Sequence, residues 1–244
     1  NAVFMRPFHY LLVNNLIANI TNFTVWFAIT FWIFLETRSV FATGMIAGIY
    51  LVLTGALGIW FGSLVDHHRK RSMMLVSSVV SLAIYAAALG AYALDPDIRL
   101  AATSSVTLWL FVLLTMLSVI VGNIRMIALP TLVTLLVPAD RRDKANGLVG
   151  MVSGIGFLTT SAISGFLIAW GGIVATLAFA IAFSLLAAVH LLFVHVDEPR
   201  EPGAHDAPRQ IDLAGTFRIV RGIPGLLALI LFAAFNNLLG GVFM

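Results

Sequence analysis

Cysteine is missing from this chain of 244 residues, and charge is scarce: Asp, Glu, Lys and Arg together make up 10%. Without cysteine there is no disulfide and no thiolate to attack a substrate or hold a metal. Carboxylates are missing from the interior of every apolar run. Glu36, Asp66, Asp95, Asp97, Asp140 and Asp143 all stand at the edges, so no acid–base pair lies within a span. No phosphate-binding loop occurs, and the glycine-rich stretches lack the strand–turn–helix setting of a dinucleotide site. His67 and His68 are adjacent on a loop, an arrangement that chelates poorly. Catalysis, a cofactor and a resident metal therefore find no support, and none is expected.

What the chain has in abundance is apolar length. Hydrophobic residues make up 60% of it, and the mean hydropathy is +1.01. A soluble domain carries about 25% charged residues, so the surface of this one faces lipid. The apolar runs reach about 20 residues without alternation, the length at which a helix crosses the hydrocarbon core. Backbone groups in lipid must bond internally, which leaves helices or closed barrels. The expected class is an all-α, polytopic membrane protein. A net charge of +3 and a pI near 9.7 could suggest nucleic acid. The basic residues, however, sit in short loops beside the spans, where Lys and Arg mark the cytoplasmic side. No nucleic-acid partner is expected, and the lipid bilayer is. The first apolar run is too long, and too poor in small-residue cleavage signals, for a cleaved leader.

The first span covers about residues 8–35 and carries Asn14, Asn15, Asn19, Asn22, Thr24 and Trp26. Asn15, Asn19 and Asn22 stand at i, i+4 and i+7 and share a face. A polar stripe is costly in lipid, so that face must look at protein or at a water-filled cavity. Interhelical hydrogen bonding and a substrate-cavity lining both satisfy it. The second span, about 40–65, holds Gly44, Gly48, Gly55, Gly58 and Gly62, spaced for close helix approach. The block from Gly62 to Arg71 follows, the densest charge between apolar runs, and it orients all the other spans. A third span (72–94), an acidic outer loop from Asp95 to Arg99 and a fourth span (104–136) come next. Arg125 lies deep in the fourth, either binding a polar or anionic substrate or clamping neighbouring helices. Pro130 is expected to bend this span or end its regular part. A net-basic loop over 137–148 returns to the cytoplasm. The fifth and sixth spans, 146–170 and 173–196, meet at a tight Gly171-Gly172 turn, with His190 near the inner end of the sixth.

Composition turns polar over 197–210. Leu213, Phe217 and Val220 then pattern a short amphipathic helix suited to the inner membrane surface, and Pro224 opens a seventh span containing Asn236 and Asn237. The expected domains are a six-helix unit over 1–196, a cytoplasmic linker over 197–223 and the start of a second unit over 224–244.

Two loops carry a resemblance. Gly62, Leu64, Asp66, Lys70 and Arg71 follow the pattern G-x-L-x-D-R-x-G-R-K/R, with His67 and Arg69 departing from it. Pro138, Ala145, Asn146 and Gly147 follow V-P-x-x-x-R-x-x-A-N-G-L, with Arg141 one position before the arginine of the pattern. Together they resemble the major facilitator superfamily, in its macrolide-efflux and siderophore-exporter branch. The resemblance implies the major facilitator fold, here an N-terminal six-helix bundle of two inverted three-helix repeats plus part of a C-terminal half. Thr160-Ser161 stands where antiporters of that family often carry Gly-Pro, ahead of Gly165.

By that resemblance the chain is an exporter of amphipathic small molecules by alternating access, with protons as the coupling ion left open. The cavity face would include Asn15, Asn19, Asn22, Trp26 and Arg125. Gly62, Asp66, Arg69, Lys70, Arg71 and Arg141 would form a conformational latch at the inner rim. The implied location is a bacterial inner membrane with the N-terminus in the cytoplasm, and the implied state is a full-length monomer. A non-transporting scaffold or receptor on the same fold is the alternative.

Overall fold

The computed structural model describes residues 2–95, 103–196, 198 and 213–242, and within that set side chains are described at 7–95, 103–196, 198, 215 and 217–236. The expected 197–210 linker, apart from Glu198, and the outer loop beyond Asp95 lie outside the described residues. The described chain is helical throughout, with no strand. Two compact units divide it, residues 1–205 and 206–244.

In the first unit, α1 spans Ala2–Thr37, α2 Val40–His67 and α3 Lys70–Leu94. A left-handed residue, Arg38 at φ 53°, reverses the chain between α1 and α2. Ser39 then caps α2 by accepting from the Ala42 amide at 3.1 Å. α4 spans Val106–Gly122 and α5 Ile124–Leu136. Together they form one apolar span interrupted at Asn123. Pro130 sits inside α5 among the buried Leu129, Leu132 and Val133, so the helix continues past it rather than ending there. The interruption falls where Gly122 lets α1 come close.

After a 3-10 turn at Ala139–Arg141, α6 runs from Arg142 to Phe193. Fifty-two residues of straight helix would reach about 78 Å at 1.5 Å per residue, far beyond a bilayer. The chain instead folds back at Gly172, whose φ of 62° and ψ of −153° suit glycine alone. Two arms result, residues 142–171 and 173–193. Their directions can be read along α1. Phe8 and Leu12 pack near Ala145, and Phe23 and Phe27 reach Phe157, so the first arm runs parallel to α1. Asn14 meets Ala187, whereas Ile29 and Ile33 share a cluster with Ile173 and Leu177, so the second arm runs antiparallel. Five described helices are long and apolar enough to cross a membrane, and the one holding this hairpin supplies two crossings.

Two apolar clusters grip the ends of the bundle. One gathers Trp32, Ile46, Tyr85, Phe111 and Leu177, and the other Leu11, Phe61, Met74, Leu129 and Leu191. A polar layer runs between them. The glycines of α2 are not used for close packing within this unit: a Cβ at Gly44, Gly48, Gly55, Gly58 or Gly62 would meet nothing within 4 Å. α2 is the most exposed of the spans, and its glycine face is open.

The second unit comprises α7 (Leu213–Gly222) and α8 (Leu226–Val242). Gly225, at φ 81°, makes the turn between them. The seventh apolar helix thus starts two residues after Pro224.

Candidate functional site

The polar layer is built around Asn14 on α1. Its neighbour Arg125 stands on the second residue of α5 and is 1% exposed. The guanidinium donates through Nη1 to Asn14 Oδ1 and through Nη2 to Ser78 Oγ on α3. Asn14 Nδ2 in turn donates to the Ala187 carbonyl at 2.8 Å and lies 3.2 Å from His190 Nδ1, both on the second arm of α6. One amide therefore ties α1 to α5 and α6. Among the described residues Arg125 has no carboxylate partner. Its charge is held by neutral oxygens in a setting where burying an ion costs several kcal/mol.

The face predicted from Asn15, Asn19 and Asn22 is buried as a whole, at 3%, 5% and 8% exposure. Its members serve different neighbours. Asn19 Nδ2 approaches Ser153 Oγ at 3.5 Å, beside Gly156 of the first arm. Asn22 Oδ1 accepts from the Tyr85 hydroxyl at 3.3 Å, and its amide fills the space a Cβ would need at Gly122. Asn15 Oδ1 has no partner among the described residues. Trp26, half-buried, packs against Tyr50 with ring centroids 4.2 Å apart and planes tilted by 35°, and the Tyr50 hydroxyl accepts from Asn123 Nδ2 at 3.0 Å. The structure brings Arg125 to Asn14, not to the other asparagines. Two apolar grooves of about 510 and 550 Å³ lie elsewhere, one along α2 at Gly44 and Gly48, one at Leu94 and Leu110.

The seam between α3 and α4 was not singled out in the sequence. Ser81 Oγ donates to the Ser118 carbonyl and Ser118 Oγ to the Ser81 carbonyl, each at 2.8 Å. Ser77 Oγ donates to the Val121 carbonyl at 2.8 Å. Ser77, Ser78, Ser81 and Tyr85 recur at helical spacing, a signal that was present but masked by the small size of serine.

The basic block reveals a second omission. Glu198 accepts from the backbone amides of Lys70 and Arg71, at 2.8 and 2.6 Å. Arg71 Nη2 reaches back to the carbonyls of Leu191 and Leu192, at 2.9 and 3.3 Å. The anion thus sits on the free amides opening α3, and the cation sits on the free carbonyls closing α6. Each favours the dipole end it touches. This reciprocal clasp joins segments more than a hundred residues apart.

The other expected latch residues are placed as follows. Lys70 Nζ donates to the backbone carbonyl of Asp66 at 3.3 Å, not to its carboxylate. Asp66 and Arg69 are exposed, and Asp66 makes no ion pair among the described residues. Arg141 pairs at 3.8 Å with Asp140, both exposed. Its neighbour Arg142 does the capping, on the Thr134 and Val137 carbonyls at 2.8 and 3.1 Å. Gly62 faces open space. His67 and His68 each donate through Nδ1 to a carbonyl four residues back.

Long apolar helices with their polar groups turned inward define a multi-pass helical membrane protein. The chain belongs to the Major Facilitator Superfamily, whose family model matches residues 11–244. That is a family of membrane transporters, generally without enzymatic activity. No curated protein and no solved structure matches the chain significantly.

Proposed function

We propose that this protein is a secondary active exporter of amphipathic small molecules, of the drug, macrolide or siderophore class. It works by alternating access and is coupled to protons. The observation that carries this reading is the polar layer: a guanidinium and four asparagines sealed between apolar clusters in a transporter family. Such groups are costly in a membrane unless they serve a polar guest or hold helices that must move. Asn15, Asn19, Asn22, Trp26 and Arg125 would come to line a midplane cavity when the bundle rocks, as inverted-repeat carriers do. Asn15, buried with an unanswered carbonyl oxygen, is the member with most to gain from a substrate donor. Gly62, Asp66, Arg69, Lys70, Arg71 and Arg141 would form the moving rim on the cytoplasmic face of a bacterial inner membrane. The full-length carrier would be a monomer. α7 would lie on the inner membrane surface.

The test is efflux of ethidium, erythromycin and a catecholate siderophore from cells stripped of their main exporters. Expression should lower accumulation of at least one probe, and Trp26→Ala should reverse that without loss of membrane insertion. No change with any probe would overturn the exporter reading in favour of a scaffold or receptor.

A further inference from the structure

His190 stands three residues from the end of α6, half-buried, at the end of the bundle that carries the basic block. Its surroundings settle which way its hydrogen bond must point. A guanidinium can only donate, so the Asn14 oxygen must face Arg125, and the Asn14 nitrogen must face the second arm. That nitrogen can only donate in turn. His190 Nδ1, 3.2 Å away, must therefore accept, which makes the ring neutral with its proton on Nε2. No freedom of amide flip remains, because both ends of Asn14 are spoken for.

The groups around the ring favour no second arrangement. From α1 it meets Asn14 and Tyr10, whose ring centroid is 6.4 Å away. From α5, Arg125 lies one amide beyond. On α3, Arg71 binds the carbonyls of Leu191 and Leu192, the two residues that follow His190. Past the end of α6 come His195 and Glu198, and Glu198 is engaged with the α3 amides. Two helices thus bring a cation to neighbours of His190, and the Glu198 carboxylate is engaged with backbone amides.

From this geometry we infer that His190 is the proton-binding site of this half, and that its protonation releases Asn14 from the second arm of α6. The inference rests on the transporter reading given above. A proton taken from water forms a bond to Nδ1. The hydrogen bond from Asn14 Nδ2 breaks, because two donors then face each other, and a second cation stands near Arg125. The arrangement described here and a protonated His190 exclude one another, so proton binding is linked to the conformation in which Asn14 has let go. The proton returns to water when Asn14 closes again. The site needs no carboxylate in a span, which fits a chain that has none there.

The experiment uses everted vesicles carrying the wild-type protein, His190→Gln or Asn14→Asp, with an imposed pH gradient. The same three probes are used, and vesicle pH is followed with a fluorescent dye. Wild type should show probe uptake driven by the gradient and probe-induced proton movement. His190→Gln, which keeps a neutral acceptor but cannot cycle a proton at neutral pH, should lose both at least tenfold. Asn14→Asp supplies a carboxylate between the guanidinium and the ring, so it should hold His190 protonated, raise thermal stability and abolish gradient-driven uptake. Wild-type coupled flux in His190→Gln would overturn the inference while leaving the transporter reading intact. Should His190→Gln fail to insert, wild-type coupled flux in Asn14→Asp overturns it instead. Absence of any probe flux in wild type would bring down the transporter reading, and this inference with it.

Discussion

Replacing Glu198 by alanine removes the acceptor for two amides in the first turn of α3 and the anion beside that helix end. Both bonds are short, 2.8 and 2.6 Å, and both are partly buried. A charge-assisted bond of this kind contributes about 1.5–3 kcal/mol when shielded. Water at the rim can replace part of it, and loss of an ordinary N-cap costs about 0.5–2 kcal/mol. A net cost of about 2 kcal/mol follows for Glu198→Ala. Glu198→Gln keeps one oxygen, loses the charge and should cost about 1 kcal/mol on the same scale. Arg71→Ala removes the other half of the clasp. Because both changes loosen the same two helix ends, the double variant should fall short of additivity by at least about 0.5 kcal/mol. Reversible unfolding in mixed micelles, read by tryptophan fluorescence, gives the energies. Hydrogen exchange at the Lys70 and Arg71 amides gives the location. Wild-type stability together with unchanged exchange at those amides in Glu198→Ala would refute the clasp.

Gly122→Ala should cost about 1–3 kcal/mol, because the new methyl falls on the Asn22 amide and breaks its bond with Tyr85; micelle unfolding measures it. Gly172→Ala places a side chain at φ 62° and should cost about 1–2 kcal/mol, with protease cutting at the hairpin as a second readout. Arg125→Met removes a buried charge for an apolar chain of similar length. Stability should change little or rise, while efflux of any transported probe should fall at least tenfold. A variant that unfolds would make Arg125 a clamp alone.

Much of the architecture was legible in the residues. Length and hydropathy mark the spans, and a glycine pair marks the hairpin because only glycine adopts the backbone found at Gly172. The asparagine stripe of α1 could be seen to turn inward, since lipid tolerates nothing else. Its internal divisions could not. Asn14 and Asn15 are adjacent and identical in type, yet one joins three helices and the other leaves its carbonyl oxygen without a partner among the described residues, a difference set by Arg125 and Ala187 far along the chain. The serines of α3 were invisible to hydropathy, because a serine that bonds to its own helix and one that joins two helices look the same in sequence. Pro130 lies within a helix that continues past it, whereas the interruption falls at Asn123, beside the close approach of Asn22 to Gly122. Glu198 sits in a stretch rich in proline and charge that reads as linker, and its partners lie 127 and 128 residues away.

The account depends on an even number of crossings between the two basic loops and on the chain reversing at Gly172. Since the chain has no cysteine, single thiols placed at exposed positions are unambiguous reporters. Expressed in intact cells and challenged with a membrane-impermeant maleimide, Glu36→Cys and Trp170→Cys should react directly. His68→Cys and Lys144→Cys should react only after the membrane is opened. Labelling of His68→Cys in sealed cells, or of His68→Cys and Lys144→Cys from opposite sides, would contradict it.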